Sequence, residues 1–268
     1  MSYSELQVTS NFSFLMGASH PEELVETAHA LGHDAIAVTD RNTLAGVVRF
    51  HGAAMDVGIR LIVGARLDFI DGPGVLCFPE DKSAYARLSR MLSTGKRRAE
   101  KGRCHLYVND LLDHGDGQVV VALTPDGRVD DTFTGHLSKL REVFGGRLYL
   151  AVQHLARGDD RARIRALGLL ADAMNIPLVA TGDVLCHTPA RRPLQDVLTC
   201  IREGCTIHQA GARLNANAER HLKSPDEMGR LFQDRPDAID NIAAIVERCR
   251  FSLDELKYEY PSEPVPDG

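Results

Sequence analysis

Short apolar runs alternate along the chain with stretches in which apolar residues recur every three or four positions. A run of four or five apolar, often β-branched residues is typical of a buried strand, and the longer period is typical of a helix. The runs predict seven strands, at Glu5–Thr9, Ala35–Thr39, Leu61–Ala65, Val75–Phe78, Val119–Leu123, Leu148–Val152 and Leu178–Thr181. The stretches predict helices at about Leu44–Val57, Arg161–Met174, Asp226–Gln233 and Ala238–Cys249.

The first predicted helix carries the clearest boundaries. Ser19 is a residue type that caps helices, and Glu22 three positions later completes a capping box. Gly32 marks the end of this helix. An apolar stripe between these boundaries predicts the buried face, at Leu24, Ala28 and Leu31.

Strands separated by helices favour a parallel sheet with helical crossovers. Such a sheet either stays open and doubly wound or closes into a barrel. The first strand is not followed by the G-x-G-x-x-G pattern of dinucleotide-binding folds. Polar residues follow several strands, at the ends where barrels carry their functional groups. The pattern therefore favours an α/β fold, a distorted seven-stranded barrel of parallel strands with outer helices.

The composition limits the class of protein. With 268 residues, of which 44% are hydrophobic, the chain is long enough for one large domain or two small ones. A formal net charge of −6 at pH 7 argues against a protein that coats nucleic acid. No apolar run approaches the ~18 residues of a membrane span, and no basic-then-apolar leader opens the sequence. We therefore expect a cytoplasmic protein that contacts no membrane.

The last residues differ in composition from the rest. Asp254–Gly268 reads DELKYEYPSEPVPDG, rich in proline and acidic residues, which is typical of a linker that buries no core. We therefore predict a barrel domain over residues 1–250 and a linker over residues 251–268, and we expect the chain to continue into a longer one.

One basic cluster stands out in this acidic chain. A solvated loop is the ordinary explanation of such a cluster, and a contact with a phosphate or a template strand is the functional one. The cluster comprises Lys96, Arg97, Arg98, Lys101 and Arg103.

Several long segments resemble one known family. They include YSELQVTSNFSFLMGASHPEELVETAHALG at residues 3–32, LVATGDVLCHTPARRPLQDVLTCIREG at 178–204 and LNANAERHLKSPDEM at 214–228. These segments are similar to the polymerase and histidinol phosphatase (PHP) domain, and the similarity covers essentially the whole chain. The chain resembles most the N-terminal PHP domain of bacterial C-family DNA polymerases, the DNA polymerase III alpha-subunit type, in their error-prone branch. The barrel expected above is then of the PHP type.

The resemblance implies a metal pocket at the strand ends, from which this sequence departs. The metal-binding form has H-x-H after the first strand, T-D-H after the second, G-x-E after the third and D-x-H after the last. The matching triplets here are Gln7-Val8-Thr9, Thr39-Asp40-Arg41, Gly64-Ala65-Arg66 and Asp183-Val184-Leu185. Gln and Thr are poor ligands for divalent cations, and a guanidinium repels them. We therefore expect neither metal nor catalytic residues in this strand-end pocket, which comprises Gln7, Thr9, Asp40, Arg41, Arg66, His154, Asp183, Leu185 and His187.

Buried carboxylates normally need a cationic partner. We therefore predict that Asp40 or Asp183 forms ion pairs with Arg41 or Arg66. The two histidines of the pocket, His154 and His187, are expected to be hydrogen-bonded polar groups rather than ligands, although they follow the last strands.

The resemblance implies a non-catalytic scaffold that packs against the palm and thumb of an error-prone DNA polymerase used in damage-induced translesion synthesis. Mg²⁺ would then be held by palm carboxylates outside these residues, and DNA, a sliding clamp and mutagenesis accessory proteins would be partners of the parent chain. Two alternatives stay open. One is a metal-dependent phosphoesterase or 3′–5′ exonuclease with a rearranged ligand set of Asp40, His154, Asp183 and His187. The other is a stand-alone module that binds accessory proteins.

Overall fold

The computed structural model describes residues 2–127 and 129–256. These residues form eight strands: β1 Ser4–Glu5, β2 Ala35–Val38, β3 Arg60–Val63, β4 Ala65–Leu67, β5 Val75–Pro79, β6 Gln118–Ala122, β7 Leu148–Val152 and β8 Leu178–Ala180. They also form ten α-helices: α1 Pro21–Ala30, α2 Val47–Val57, α3 Lys82–Arg97, α4 Val108–His114, α5 Asp131–Phe144, α6 Asp160–Met174, α7 Arg192–Glu203, α8 Ile207–Ala210, α9 Pro225–Leu231 and α10 Asp237–Arg248. None of these described helices has the length and apolar character needed to span a membrane.

The strands form two sheets. The first has the order β1-β2-β3 and is parallel throughout. The second has the order β4-β5-β6-β7-β8, with β5 antiparallel to both neighbours and β6, β7 and β8 parallel. Isolated parallel bridges join Val8 to Val184 and Arg41 to Arg66. The residues that follow β1 and β2 therefore lie beside residues of the second sheet.

The prediction of seven parallel strands is wrong in the number and direction of the strands, whereas the α/β class is confirmed. The expected strand Leu61–Ala65 divides at Gly64, where a Cβ would lie 2.5 Å from the ring of Phe78. β4 then joins β5 in an antiparallel pair. The apolar pattern does not reveal this reversal, because parallel and antiparallel strands share a period of two.

The start of α1 also differs from the prediction. His20, not Ser19, precedes the helix, and its backbone N donates to Glu23 Oε2 at 2.9 Å, so Glu23 replaces Glu22 in the capping interaction. The hydroxyl of Ser19 lies instead 2.8 Å from His187 Nδ1. Ser19, although of a type that caps helices, thus bonds to His187 of the strand-end pocket instead.

The first sheet is buried on both faces. Ile36 and Val38 of β2 pack in an apolar cluster with Leu24 of α1. Ala35 and Ala37 of the same strand belong to the larger cluster on the other face. Alternate side chains of a strand point to opposite faces, so β2 has the two-sided burial that is usual for parallel strands covered by helices.

The predicted linker begins within the described residues and continues outside them at 257–268. Phe251 is buried and stacks on Tyr85 of α3, with ring centroids 4.4 Å apart. Leu253–Glu255 then form one 3₁₀ turn. The packed domain therefore reaches at least to Phe251.

Candidate functional site

The residues that follow β1 and β8 meet in one hydrogen-bonded network. Gln7 is buried, and its Nε2 donates to Asp183 Oδ1 at 2.7 Å. Its Oε1 accepts from Thr181 Oγ1 at 2.8 Å and from Gln153 Nε2 at 3.1 Å. The backbone N of Val184 donates to Gln7 O at 2.8 Å. Both ends of the Gln7 amide are thus engaged, and the strand ends meet as the sequence predicted.

Asp183 is held by an arginine far along the chain. Arg220 Nη2 donates to Asp183 Oδ2, and Arg220 Nε donates to the Asp183 carbonyl at 3.1 Å. The pair is mostly buried, with 13% of the Asp183 side chain and 24% of the Arg220 side chain exposed. Burial would raise the pKa of Asp183, but the charges of Arg220 and, at longer range, Arg66 hold the pKa below its ordinary value.

Asp40 is fully buried and is held by neutral donors. Its Oδ1 accepts from the backbone N of Ser10 at 2.8 Å and from Ser13 Oγ at 2.7 Å, and its Oδ2 accepts from Ser10 Oγ at 2.8 Å. Gly46 leaves the necessary space, since a Cβ there would lie 2.8 Å from Asp40 Oδ2. Burial raises the pKa of Asp40 and outweighs these hydrogen bonds, which act in the opposite direction.

The two arginines of the pocket share a carboxylate that the sequence analysis missed. Arg41 Nε donates to Asp68 Oδ2 at 2.7 Å, and Arg66 Nε donates to Asp68 Oδ1 at 2.9 Å. Burial would raise the pKa of Asp68, but the charges of Arg66 and Arg41 hold it below its ordinary value. This bridge ties the segment after β2 to β4.

The predicted ion pairs are therefore wrong in their partners. Among the described residues, Asp40 is bonded to serines and Asp183 to Arg220, while Arg41 and Arg66 bind Asp68. Asp68 stands two positions after Arg66, so the strand period places both side chains on one face, and this spacing was a usable signal. Arg220 lies 37 positions after Asp183, and no sequence period connects them.

Glu5 is a further buried carboxyl group that was not predicted. Its oxygens accept from Tyr3 Oη at 2.7 Å and from the backbone N atoms of Gln7 and Gly182, each at 2.9 Å. A Cβ at Gly182 would lie 2.6 Å from Glu5 Oε2. Burial raises the pKa of Glu5 to about 7, although the hydrogen bonds and the charge of Lys223 oppose this shift. Glu5 precedes Gln7 by two positions, the spacing that places both on one strand face.

The remaining predicted residues surround this network. Thr9 and Leu185 are buried in the segments that follow β1 and β8. His187 lies against Ser19, as described above, and burial lowers its pKa, which favours the neutral ring. His154 is partly exposed.

The donor set does not fit the metal cluster that the resemblance implies. The Gln7 amide is engaged by neighbouring side chains, and guanidinium groups stand at positions 41 and 66. Within residues 2–127 and 129–256, no three His, Cys, Asp or Glu side chains are grouped so that they would hold a metal ion. The rearranged set of Asp40, His154, Asp183 and His187 is therefore not such a group.

Part of the basic cluster lies beside the strand-end pocket. Lys96, Lys101 and Arg103 are exposed and line a groove of about 600 Å³ together with Arg41 and Asp68. The rings of two phenylalanines also line this groove, Phe12 and Phe14. Part of the basic cluster and part of the strand-end pocket thus share one groove.

The other two residues of the cluster are placed differently. Arg98 pairs with Asp110 at 2.6 Å, and its guanidinium carbon lies 5.7 Å from the centre of the Tyr107 ring. Arg97 is exposed at the end of α3. Neither residue belongs to the lining of the groove.

The chain is similar to a described domain and to longer proteins. A family model described as PHP domain matches residues 5–154. The error-prone DNA polymerase of Caulobacter vibrioides is 51% identical over 267 residues, which are 99% of this chain and 25% of that protein. Error-prone DNA polymerase 1 of Agrobacterium fabrum is 47% identical, with 97% of this chain and 24% of that protein covered. The chain thus spans about a quarter of the length of the curated relatives it matches.

Two solved structures are similar in fold. A protein from Bifidobacterium adolescentis, named as a candidate metal-dependent phosphoesterase, aligns with a TM-score of 0.52 at 16% identity, over 68% of this chain and 87% of that one. An amidohydrolase from Chromobacterium violaceum aligns with a TM-score of 0.52 at 16% identity, over 69% and 88% of the two chains. At such identities the likeness concerns the fold alone.

Proposed function

Since this chain belongs to the PHP domain family, we propose that it is the PHP domain of an error-prone DNA polymerase and serves there as a non-catalytic scaffold. Relatives of that name match nearly the whole chain, which supports the polymerase assignment. One observation carries the non-catalytic role: the side chains at the strand ends are bonded to one another. Gln7 is engaged by Asp183, and Arg41 by Asp68, so these positions offer no free ligand or base.

In this proposal the strand-end pocket is a structural cross-link. The guanidinium groups of Arg41, Arg66 and Arg220 supply positive charge beside the partly buried carboxylates of Asp68 and Asp183, as metal ions would in the metal-binding form. The polymerase reaction itself, nucleotidyl transfer with two Mg²⁺ ions, belongs to carboxylates outside these 268 residues.

We also propose that the two sheets together form a distorted barrel of the PHP type. The backbone bridges Val8–Val184 and Arg41–Arg66 support this arrangement, because each joins a residue of one strand group to a residue of the other. The shared carboxylate of Asp68 reinforces the second bridge.

Activity of the full-length polymerase that carries this domain tests the scaffold proposal. Asp40→Asn is the first variant, because it keeps the size of the side chain and removes the charge of a fully buried group. Asp183→Asn is the second variant, compared at a temperature where it stays folded. We expect primer extension and 3′–5′ degradation to match those of the wild type in both. Loss of 3′–5′ degradation in a folded variant would instead favour the exonuclease alternative, and loss of primer extension would contradict a purely structural role of the pocket.

For the basic cluster we propose contact with single-stranded DNA, from all five residues and most directly from the three that line the groove. Exposed cations attract the phosphates, and the aromatic ring of Phe12 suits a stacked base. The triple variant Lys96→Ala, Lys101→Ala, Arg103→Ala should weaken DNA binding and reduce its salt dependence by about one unit of slope per lost phosphate contact. Lys139→Ala, Arg141→Ala on α5 is the control, and equal binding by the triple variant and this control would exclude the contact.

A further inference from the structure

Helix α7 is oriented with its apolar side outward. Its buried residues are Gln195, Thr199 and Cys200, whereas Val197 and Ile201 are 49% and 59% exposed. Amphipathic helices of globular domains normally bury the apolar stripe. The side-chain amide of Gln195 points inward but is incompletely hydrogen-bonded, since its Oε1 is buried and has no hydrogen-bond partner in the described part of the chain. Burial within this domain therefore does not explain the orientation of α7.

The apolar surface continues beyond α7. Ile207 of α8, which follows α7 after a short turn, is 46% exposed. Phe14 is 83% exposed, and its loop is held to the end of α7 because Arg202 Nη1 donates to Leu15 O at 2.9 Å. We call the side chains of Phe14, Leu194, Val197, Ile201 and Ile207 the outward apolar face.

Charged groups next to this face are already paired within the domain. Arg192 bonds to Asp196 at 2.6 Å, and Arg202 bonds to Glu203 at 3.1 Å. A partner therefore needs no complementary charge at these positions. An apolar surface bordered by satisfied polar groups is the usual composition of a protein interface.

We propose that the outward apolar face docks against an apolar surface of the polymerase region that lies outside these 268 residues; the inference rests on the proposed function. In the curated relatives the matching segment is about a quarter of the protein, so in those proteins a large region is covalently linked to it and could be the partner. The five side chains expose roughly a few hundred Å², less than the about 800 Å² per partner of a stable standard-size complex. A linked partner needs less area, because linkage supplies an effective concentration of roughly millimolar.

Hydrogen exchange of the α7 amides, measured in the 268-residue chain and in the full-length polymerase, tests this docking. We expect exchange to be about tenfold or more slower in the full-length protein, because a covered helix opens less often. Ile201→Glu should remove this extra protection, and Leu169→Glu should not. Leu169 is a matched control, since it is a similar aliphatic residue on α6 and is 68% exposed. If Ile201→Glu fails to fold, Val197→Glu replaces it.

Three outcomes would overturn the docking. Equal exchange of α7 in both wild-type proteins would show that the face stays uncovered. Equal loss of protection in Ile201→Glu and Leu169→Glu would show that the effect is not local. A concentration-dependent dimer of the 268-residue chain, abolished by Ile201→Glu, would identify a second copy as the occupant. Primer extension on the same samples distinguishes failure of the docking from failure of the proposed function. An active polymerase with unprotected α7 contradicts only the docking. A wild-type protein without primer extension contradicts the proposed function.

Discussion

Asp40 and Asp183 occupy comparable positions and are stabilised by different chemistry. Each follows a strand, β2 or β8, and each is mostly or fully buried. Asp183 binds the guanidinium of Arg220, whose charge holds the pKa of the carboxyl group below its ordinary value against the effect of burial. Asp40 binds the hydroxyl groups of Ser10 and Ser13, and burial raises its pKa.

The difference shows that a buried carboxylate does not require a cation. Several well-placed hydroxyl and backbone donors satisfy its hydrogen-bonding capacity, but they do not offset the loss of solvation of its charge. Such a group favours its protonated form more than an ion-paired one does. The two aspartates should therefore respond differently to mutation and to pH.

The largest expected effect comes from removing the cation beside Asp183. Arg220→Met leaves that carboxylate largely buried and unpaired, and we expect the free energy of unfolding to fall by about 3 kcal/mol. This value is at the low end for buried pairs, because 24% of the Arg220 side chain is exposed. Urea unfolding of the 268-residue chain measures the loss.

A double-mutant cycle separates charge from packing in this experiment. Asp183→Asn should cost much less in the Arg220→Met background than in the wild type, because the pair is already broken. Arg49→Met is the matched control, since its ion pair with Glu22 is exposed, and it should change stability by no more than about 1 kcal/mol. Additive losses for Arg220→Met and Asp183→Asn would mean that the two side chains are not coupled.

Glu5 extends the comparison to a carboxyl group with a pKa of about 7. The folded state binds this proton more tightly than the unfolded state, so the contribution of Glu5 to stability is greatest below its unfolded pKa and is lost as pH rises through the folded pKa. We expect the free energy of unfolding of the wild type, relative to Glu5→Gln, to fall by about 2 kcal/mol between about pH 5 and about pH 8.

Urea unfolding of both proteins across this pH range provides the measurement. Histidines with lowered pKa values, His33, His187 and His221, titrate in both proteins and should cancel in the difference. A difference that stays constant with pH would show that Glu5 has an ordinary pKa in the folded state.

A smaller effect is expected from the donors around Asp40. Ser13 Oγ donates to Asp40 and accepts from the backbone N of Arg41 at 2.9 Å, so Ser13→Ala should lower the free energy of unfolding by about 1–2 kcal/mol. Ser93→Ala is the control, because this exposed hydroxyl donates to Ser89 O of its own helix, and it should cost less than about 0.5 kcal/mol. Equal effects of the two changes would mean that Ser13 does not support Asp40.

The fold was predictable where the apolar period was long. The predicted helix Arg161–Met174 corresponds to α6, which begins one residue earlier. The division of the third predicted strand and the reversal at β5 were not predictable from this period, because they depend on the close approach of Gly64 to Phe78 and on strand direction. Neither this close approach nor the direction of a strand changes the sequence pattern of apolar residues.

The positions of the strand-end pocket were more predictable than its contacts. Gln7 and Asp183 follow strands, and such ends meet in an α/β sheet, so their proximity was expected and is confirmed. The partner of Asp183 was not predictable, because Arg220 lies outside any strand or helix and reaches Asp183 from another part of the chain. The serines around Asp40 were not predicted either, because a buried carboxylate was expected to pair with a cation rather than with hydroxyl groups.

Whether the strand-end pocket takes up metal is decided by the metal content of the purified 268-residue chain. The protein is incubated with excess Zn²⁺ or Mn²⁺, dialysed and subjected to elemental analysis. Because Gln7, Arg41 and Arg66 stand where ligands would be needed and are bonded to neighbouring side chains, we predict well under one bound ion per chain. Two or three retained ions per chain would contradict the non-catalytic scaffold.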